Sequence, residues 1–170
     1  TVGTYFAEVV APRGANVQTS GDGAGPGAFF DLENVQVLKG PQGTLFGRNT
    51  TGGAVLITPK RPSDELEGYV EGSAGNYDTY RTQGVVNIPA SDRVRLRFGA
   101  DQQKRDGYLN NITDVGPSDF ADVDYFAGRA SMVIDFTDSL SNYTVGTYSD
   151  SETNGQPSTL IACDEATPPK

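Results

Sequence analysis

Hydrophobic and polar positions alternate with a period of two along the second half of this chain. Val94, Leu96, Phe98 and Ala100 fall on one face of a segment that sets them against Arg93, Arg95, Arg97 and Asp101. Farther on, Phe126, Gly128, Ala130, Met132, Ile134 and Phe136 share a face, opposite Tyr125, Arg129, Ser131 and Asp135. An earlier segment opposes Tyr80, Thr82, Gly84, Val86 and Ile88 to Arg81, Gln83, Val85 and Asn87. Such alternation predicts strands with two unlike faces. The segments at 93–105 and 123–137 exceed the usual globular strand of about five or six residues.

A soluble sandwich turns its apolar faces inward, whereas a transmembrane barrel turns them toward lipid and its polar faces toward the lumen. The connections separate the two. Pro89-Ala90-Ser91-Asp92 and Thr137-Asp138-Ser139 are tight, while about 106–121 and 151–170 are long and polar. Outer-membrane barrels have this asymmetry, with short periplasmic turns and long outer loops. The connection near Gly75-Asn76 is short where an outer loop is expected. Tyr69, Tyr77, Tyr80, Tyr108, Tyr125, Tyr143 and Tyr148 lie mostly near strand ends, as an aromatic girdle would place them. The pattern predicts antiparallel transmembrane β-barrel strands over 63–170, with Phe98, Met132 and Ile134 toward lipid and Arg95, Arg97 and Arg129 toward the lumen.

Before Pro62 the chain has a different character, that of a small α+β unit. Val2 to Val10 is predicted as a strand. Gly21 to Gly27 is a glycine-rich surface loop. Val35 and Val37 alternate with polar neighbours in a half-buried strand. Pro41 suits the first position of a short helical turn and Gly47 its left-handed exit. Gly52-Gly53 permits a positive-φ turn before Ala54-Val55-Leu56-Ile57 resumes as strand. Pro59 and Pro62 then end strand pairing.

Composition removes several classes of function. The net charge of −9 over 170 residues argues against a nucleic-acid partner. One cysteine and no histidine leave neither a zinc site nor a thiol–imidazole pair. The glycines at 40–53 lack the lysine and hydroxyl that follow the last glycine of a P-loop, so no nucleotide site is read there. A hydrolase would rest on carboxylate pairs such as Asp135 with Asp138, which nothing in the sequence brings to a cleft. No cofactor is expected. Asn49-Thr50-Thr51, Asn111-Ile112-Thr113 and Asn142-Tyr143-Thr144 match the glycosylation pattern, which matters only in a eukaryotic secreted protein. Both ends read as cuts in a longer chain.

The string Val37-Leu38-Lys39-Gly40-Pro41-Gln42-Gly43-Thr44-Leu45-Phe46-Gly47-Arg48-Asn49-Thr50-Thr51-Gly52-Gly53-Ala54-Val55 closely resembles the plug domain of TonB-dependent outer-membrane receptors. The resemblance extends to Phe29-Phe30-Asp31-Leu32-Glu33, to Glu67-Gly68-Tyr69 through Arg81, and to Arg105-Asp106-Gly107-Tyr108-Leu109-Asn110-Asn111. Thr1 to Val10 is similar to a further plug segment, from which Phe6-Ala7-Glu8-Val9-Val10 departs. The resemblance implies that residues 1–62 are the C-terminal part of a plug and 63–170 the first strands of a plugged barrel of about 22 strands.

By the same resemblance the protein sits in the bacterial outer membrane, in contact with its lipid. It binds a scarce extracellular solute (siderophore, cobalamin, glycan or similar) and imports it to the periplasm. Energy comes from the TonB–ExbB–ExbD complex, through an N-terminal region outside this chain. No covalent chemistry is implied. The family's basic plug residues pair with barrel-wall carboxylates; their matches are Lys39 and Arg61, with Arg48 a further candidate, and the partners are expected on strands outside this segment. The outward plug loop places Arg13, Asn16, Gln18, Thr19, Ser20 and Asp22 at the solute. Cys163, in a long outer loop, is expected in a disulfide whose partner lies beyond Lys170. The competing reading is a secreted soluble β-domain, such as an adhesin or carbohydrate-binding module.

Overall fold

The computed structural model describes residues 2–11, 29–47, 49–112 and 115–155. The first unit is a small mixed sheet. Strand β1 (Val2–Phe6) turns into β2 (Val9–Val10), so the single strand expected from Val2 to Val10 is a hairpin instead. Ala7 (φ 48°) and Glu8 (φ 69°) both adopt the left-handed region that a two-residue hairpin turn demands. Strand β3 (Leu32–Lys39), the short helix α1 (Gly43–Phe46) and β4 (Gly53–Pro59) follow in the predicted order, but Gln42 is the N-cap, so Pro41 precedes the helix and does not open it as expected. Gly47 leaves the helix at φ 81°, and Gly53 enters β4 at φ 150°. A side chain at Gly53 would sit 2.5 Å from the Leu38 carbonyl, so the β3–β4 pairing needs glycine there. The order is β2-β1-β4-β3, with β1 parallel to β4. The Tyr5 hydroxyl donates to the Phe46 carbonyl at 2.5 Å and fastens α1 over β1.

The second unit is an antiparallel sheet of long strands, hereafter the wall. It comprises β5 (Glu67–Gly75), β6 (Thr79–Ser91), β7 (Val94–Arg105), β10 (Val123–Thr137) and β11 (Leu140–Glu152), adjacent in that order. Between β7 and β10 the outer connection folds its own small hairpin, β8 (Leu109–Asn110) with β9 (Asp119–Phe120). Asp92-Arg93 and Asp138-Ser139 make the tight turns. β6 runs through Pro89, where β5 has already ended, because its last pair is Glu67 with Asn87. The missing proline N–H therefore costs no ladder bond on that side. Among the described residues no helix is long and apolar enough to cross a membrane, which says nothing about crossing by strands.

Which face of the wall is buried follows from register. The row Val85–Gly99–Arg129 and the row Asn87–Arg97–Ser131 point toward the small sheet. The row Val86–Phe98–Ala130 points away. Arg97 and Arg129 are 4% and 6% exposed, while Phe98 is 42% exposed. Arginines inside and phenylalanines outside invert the arrangement of a soluble sandwich. The alternation of the sequence thus resolves into the barrel sense, with Arg95, Arg97 and Arg129 on the inner face and Phe98, Met132 and Ile134 on the outer.

Candidate functional site at the junction of the two sheets

Phe30 and Asp31 form a knuckle just before β3, and the knuckle seats on the wall. Phe30 packs with Val85, Ala127 and Tyr125. Gly99 makes room for it: an added Cβ there would lie 2.6 Å from the Phe30 ring. A close approach of this kind is a standing reason for glycine in a strand interior. Asp31 takes φ 50°, which a short polar side chain tolerates better than most. That turn aims its carboxylate at two wall arginines.

Arg97 grips Asp31 with both arms, Nε donating to Oδ2 at 2.8 Å and Nη2 to Oδ1 at 2.5 Å. Its remaining nitrogen, Nη1, donates to Glu67 at 2.9 Å. Arg129 Nη2 donates to the Phe30 carbonyl at 2.8 Å, the Asp31 carbonyl at 2.7 Å and Asp31 Oδ2 at 3.2 Å. The Arg97, Arg129 and Asp31 side chains are each 4% exposed, so water screens these charges little. Planar guanidinium forks meet a carboxylate bidentately, which lysine could not reproduce. The backbone closes the seat, since Lys60 N–H donates to the Asp31 carbonyl at 3.0 Å.

The linker from Lys60 to Leu66 is strapped to the same place. Lys60 pairs with Glu67 at 2.9 Å. The fully buried Asn87 amide accepts from Ser63 N–H and donates to the Ser63 and Glu65 carbonyls. Arg95 joins Asp64 to Asp135. Arg61 lies over the Tyr143 ring of β11, 4.5 Å from its centroid. Above the knuckle, buried Asp101 accepts from Arg81 at 2.8 and 3.0 Å and from the Tyr125 hydroxyl at 2.8 Å.

Of the residues singled out from sequence, Lys39 is exposed at the end of β3, and no carboxylate pairs with it among the described residues. Arg61 meets an aromatic ring here; a carboxylate partner on strands outside this segment is untouched by that contact. Arg48, the loop residues Arg13, Asn16, Gln18, Thr19, Ser20 and Asp22, and Cys163 lie outside the described residues. Asp135 is engaged by Arg95, an ion pair and not a pair of carboxyl groups sharing a proton. The Asp31 clamp was missed. Its polarity is opposite to the one sought, with the acid on the small sheet and the bases on the wall. The available signal was an acid directly behind two phenylalanines, immediately before a strand.

No family model matches the chain. Over 65 residues it is 37% identical to the pesticin receptor of Yersinia pestis, a match covering 38% of this chain and 10% of that protein. Over 86 residues it is 34% identical to the ferripyoverdine receptor of Pseudomonas aeruginosa, covering 49% of this chain and 10% of the relative. Its fold matches the pyoverdine outer membrane receptor of Pseudomonas aeruginosa PAO1 bound to pyoverdine, with a TM-score of 0.71 at 22% identity over 88% of this chain and 20% of that one. The ferric yersiniabactin uptake receptor of Yersinia pestis gives 0.70 at 23% identity, over 87% of this chain and 22% of the other. The matches thus span about a tenth of the curated relatives and about a fifth of the solved chains. The glycine string, the inverted wall and these relatives agree: over the stretch it spans, the chain is similar to TonB-dependent outer-membrane receptors.

Proposed function

We propose that residues 1–62 are the C-terminal part of the receptor's plug and 63–170 the first strands of its barrel, within a plugged barrel of about 22 strands. We further propose that the complete receptor binds a scarce extracellular solute and imports it to the periplasm, drawing energy from the TonB–ExbB–ExbD complex. The observation that carries this reading is the inverted wall: Arg97 and Arg129 buried against the small sheet, Phe98 open on the far face. Five strands with free edges need further strands on both sides, because backbone groups in lipid must pair within the protein.

The names of two relatives point to metal chelates: ferripyoverdine for the Pseudomonas aeruginosa receptor above, metal-pseudopaline for a second receptor of that organism. A ferric or other metal chelate is accordingly the solute class we propose. Binding falls to the loop carrying Arg13, Asn16, Gln18, Thr19, Ser20 and Asp22, whose side chains offer both donors and acceptors. Lys39, Arg48 and Arg61 are proposed to hold the plug to carboxylates elsewhere on the barrel, and Cys163 to close an outer-loop disulfide. The test is growth of a strain lacking the receptor on a panel of ferric chelates, with and without the full-length gene. Growth restored on one chelate supports the reading. A full-length product that stays soluble without detergent and restores growth on none would overturn it in favour of a secreted β-domain.

A further inference from the structure

At the outer end of the wall, the connections between strands are bonded to one another. The chain over 106–112 folds back on that over 115–122. Gly107 N–H donates to the Asp119 carboxylate, and a Cβ at Gly107 would lie 2.4 Å from the Phe120 carbonyl, so the close approach needs glycine. The Asn111 side-chain amide donates to the Val115 and Pro117 carbonyls, each at 2.8 Å, and its backbone N–H to the Ser118 carbonyl at 2.9 Å. On one side this folded connection meets the turn that follows β5. Asp106 N–H donates to the Tyr77 carbonyl at 2.9 Å, and the Tyr77 and Tyr108 rings meet edge to face with centroids 6.3 Å apart. On the other side it meets the chain leaving β11. Asp122 Oδ1 accepts from Asn154 N–H at 2.7 Å and from the Thr153 hydroxyl at 3.1 Å, and Asn154 Nδ2 donates to Asp119 Oδ1 at 3.4 Å. Ala121 lies at the centre, 6% exposed and at φ 61°. Its N–H donates to the Gly155 carbonyl at 2.8 Å and its carbonyl accepts from Arg105 Nη2 at 2.7 Å. Alanine keeps a left-handed conformation only where its surroundings over-determine it.

We propose that the connections following β5, β7 and β11 form one cooperative rim, stapled at Asp122, which moves as a body and not loop by loop. Surface connections ordinarily open singly and at little cost, because few contacts hold them. Here neighbouring segments share their partners. Asp119 is held by Gly107 on one side and Asn154 on the other, and Ala121 by Arg105 and Gly155. Lifting 106–112 therefore strips Asp119 of a donor and loosens its hold on Asn154. Releasing 153–155 strips Asp122, whose charge strengthens both bonds it accepts there. The rim is thus a fixed part of the receptor's outer surface, and whatever meets it bears no cost of ordering these loops. The inference stands apart from the import reading and holds whichever solute the receptor takes.

Hydrogen exchange on the full-length receptor in detergent tests this by perturbing one end of the rim and reading the other. Asp122→Ala removes the staple. It should quicken exchange about tenfold in peptides over both 106–112 and 153–155, as expected for the loss of a charge-assisted bond in a shared unit. Gly107→Ala forces a Cβ against the Phe120 carbonyl at the opposite end, and should quicken 153–155 as well as its own segment. Peptides within β7 and β10 should keep their protection in both variants. If Asp122→Ala does not assemble, Thr153→Val removes only the hydroxyl and is judged by the same two peptides. Quickening confined to the segment nearest each substitution, or quickening in neither, overturns the cooperative rim. So do amides at 153–155 that already exchange in the native receptor as fast as in an unstructured peptide.

Discussion

Neutralising Asp31 is the sharpest perturbation the junction allows. Asp31→Asn keeps the shape of the side chain but leaves Arg97 and Arg129 facing each other across a site where each side chain is 4% exposed. Breaking a buried ion pair by removing one partner costs about 3–5 kcal/mol. The lower end applies here, because Arg97 keeps Glu67 and Arg129 keeps the carbonyls of Phe30 and Asp31. A loss of about 3 kcal/mol is about a hundredfold in the equilibrium between seated and unseated knuckle. Hydrogen exchange on the full-length receptor in detergent reads this directly. Peptides over 32–39 and 53–59 should lose about two decades of protection, while those over β7 and β10 keep theirs. Salt should change the result little, since the charges are buried. The double variant with Arg129→Gln should show a coupling of at least about 1 kcal/mol. Unchanged protection in β3 and β4, or equal loss throughout the wall, would refute the clamp as the fastening.

Gly99→Val should unseat Phe30 by steric overlap, at about 2–3 kcal/mol, and raise exchange in β3 much as Asp31→Asn does; normal protection would show the ring finds another seat. Ala130→Arg, at mid-strand on the outer face, should cost about 2–4 kcal/mol in urea titrations of the receptor in vesicles, whereas inward-facing Ser149→Arg should cost under about 1 kcal/mol; the reverse order would overturn the assignment of faces. Gly53→Ala forces a Cβ against the Leu38 carbonyl at an unfavourable φ, so trypsin should cut the β3–β4 hairpin of the assembled variant faster, and an unchanged cleavage rate would sink the argument. Deleting Ser20 to Gly25 should weaken binding of the chelate identified by growth while leaving barrel assembly intact; unchanged calorimetry would shift recognition to the outer loops at 106–121 and 151–170.

Much of this architecture is local and was therefore legible. Alternation in β7 and β10 fixes which residues share a face, since successive side chains of a strand point opposite ways whatever surrounds it. Glycines at 47 and 53 and prolines at 59 and 62 mark conformations that few other residues accept, so the strand–turn–helix–strand order is written in them. Ala7 and Glu8 carry no such mark. Their hairpin exists because β1 pairs with β4 and the chain must reverse, a demand that comes from outside the segment.

What only the tertiary structure decided is the pairing across the junction. Asp31 and Arg129 are separated by 98 positions, and no periodicity links them. Alternation predicted that Arg97 and Arg129 face inward, yet their partner depended on where a positive-φ knuckle sets one carboxylate. Gly99 carries the same lesson. In sequence it is an unremarked small residue in a strand, and its reason is a ring from the other sheet that needs the space of a Cβ.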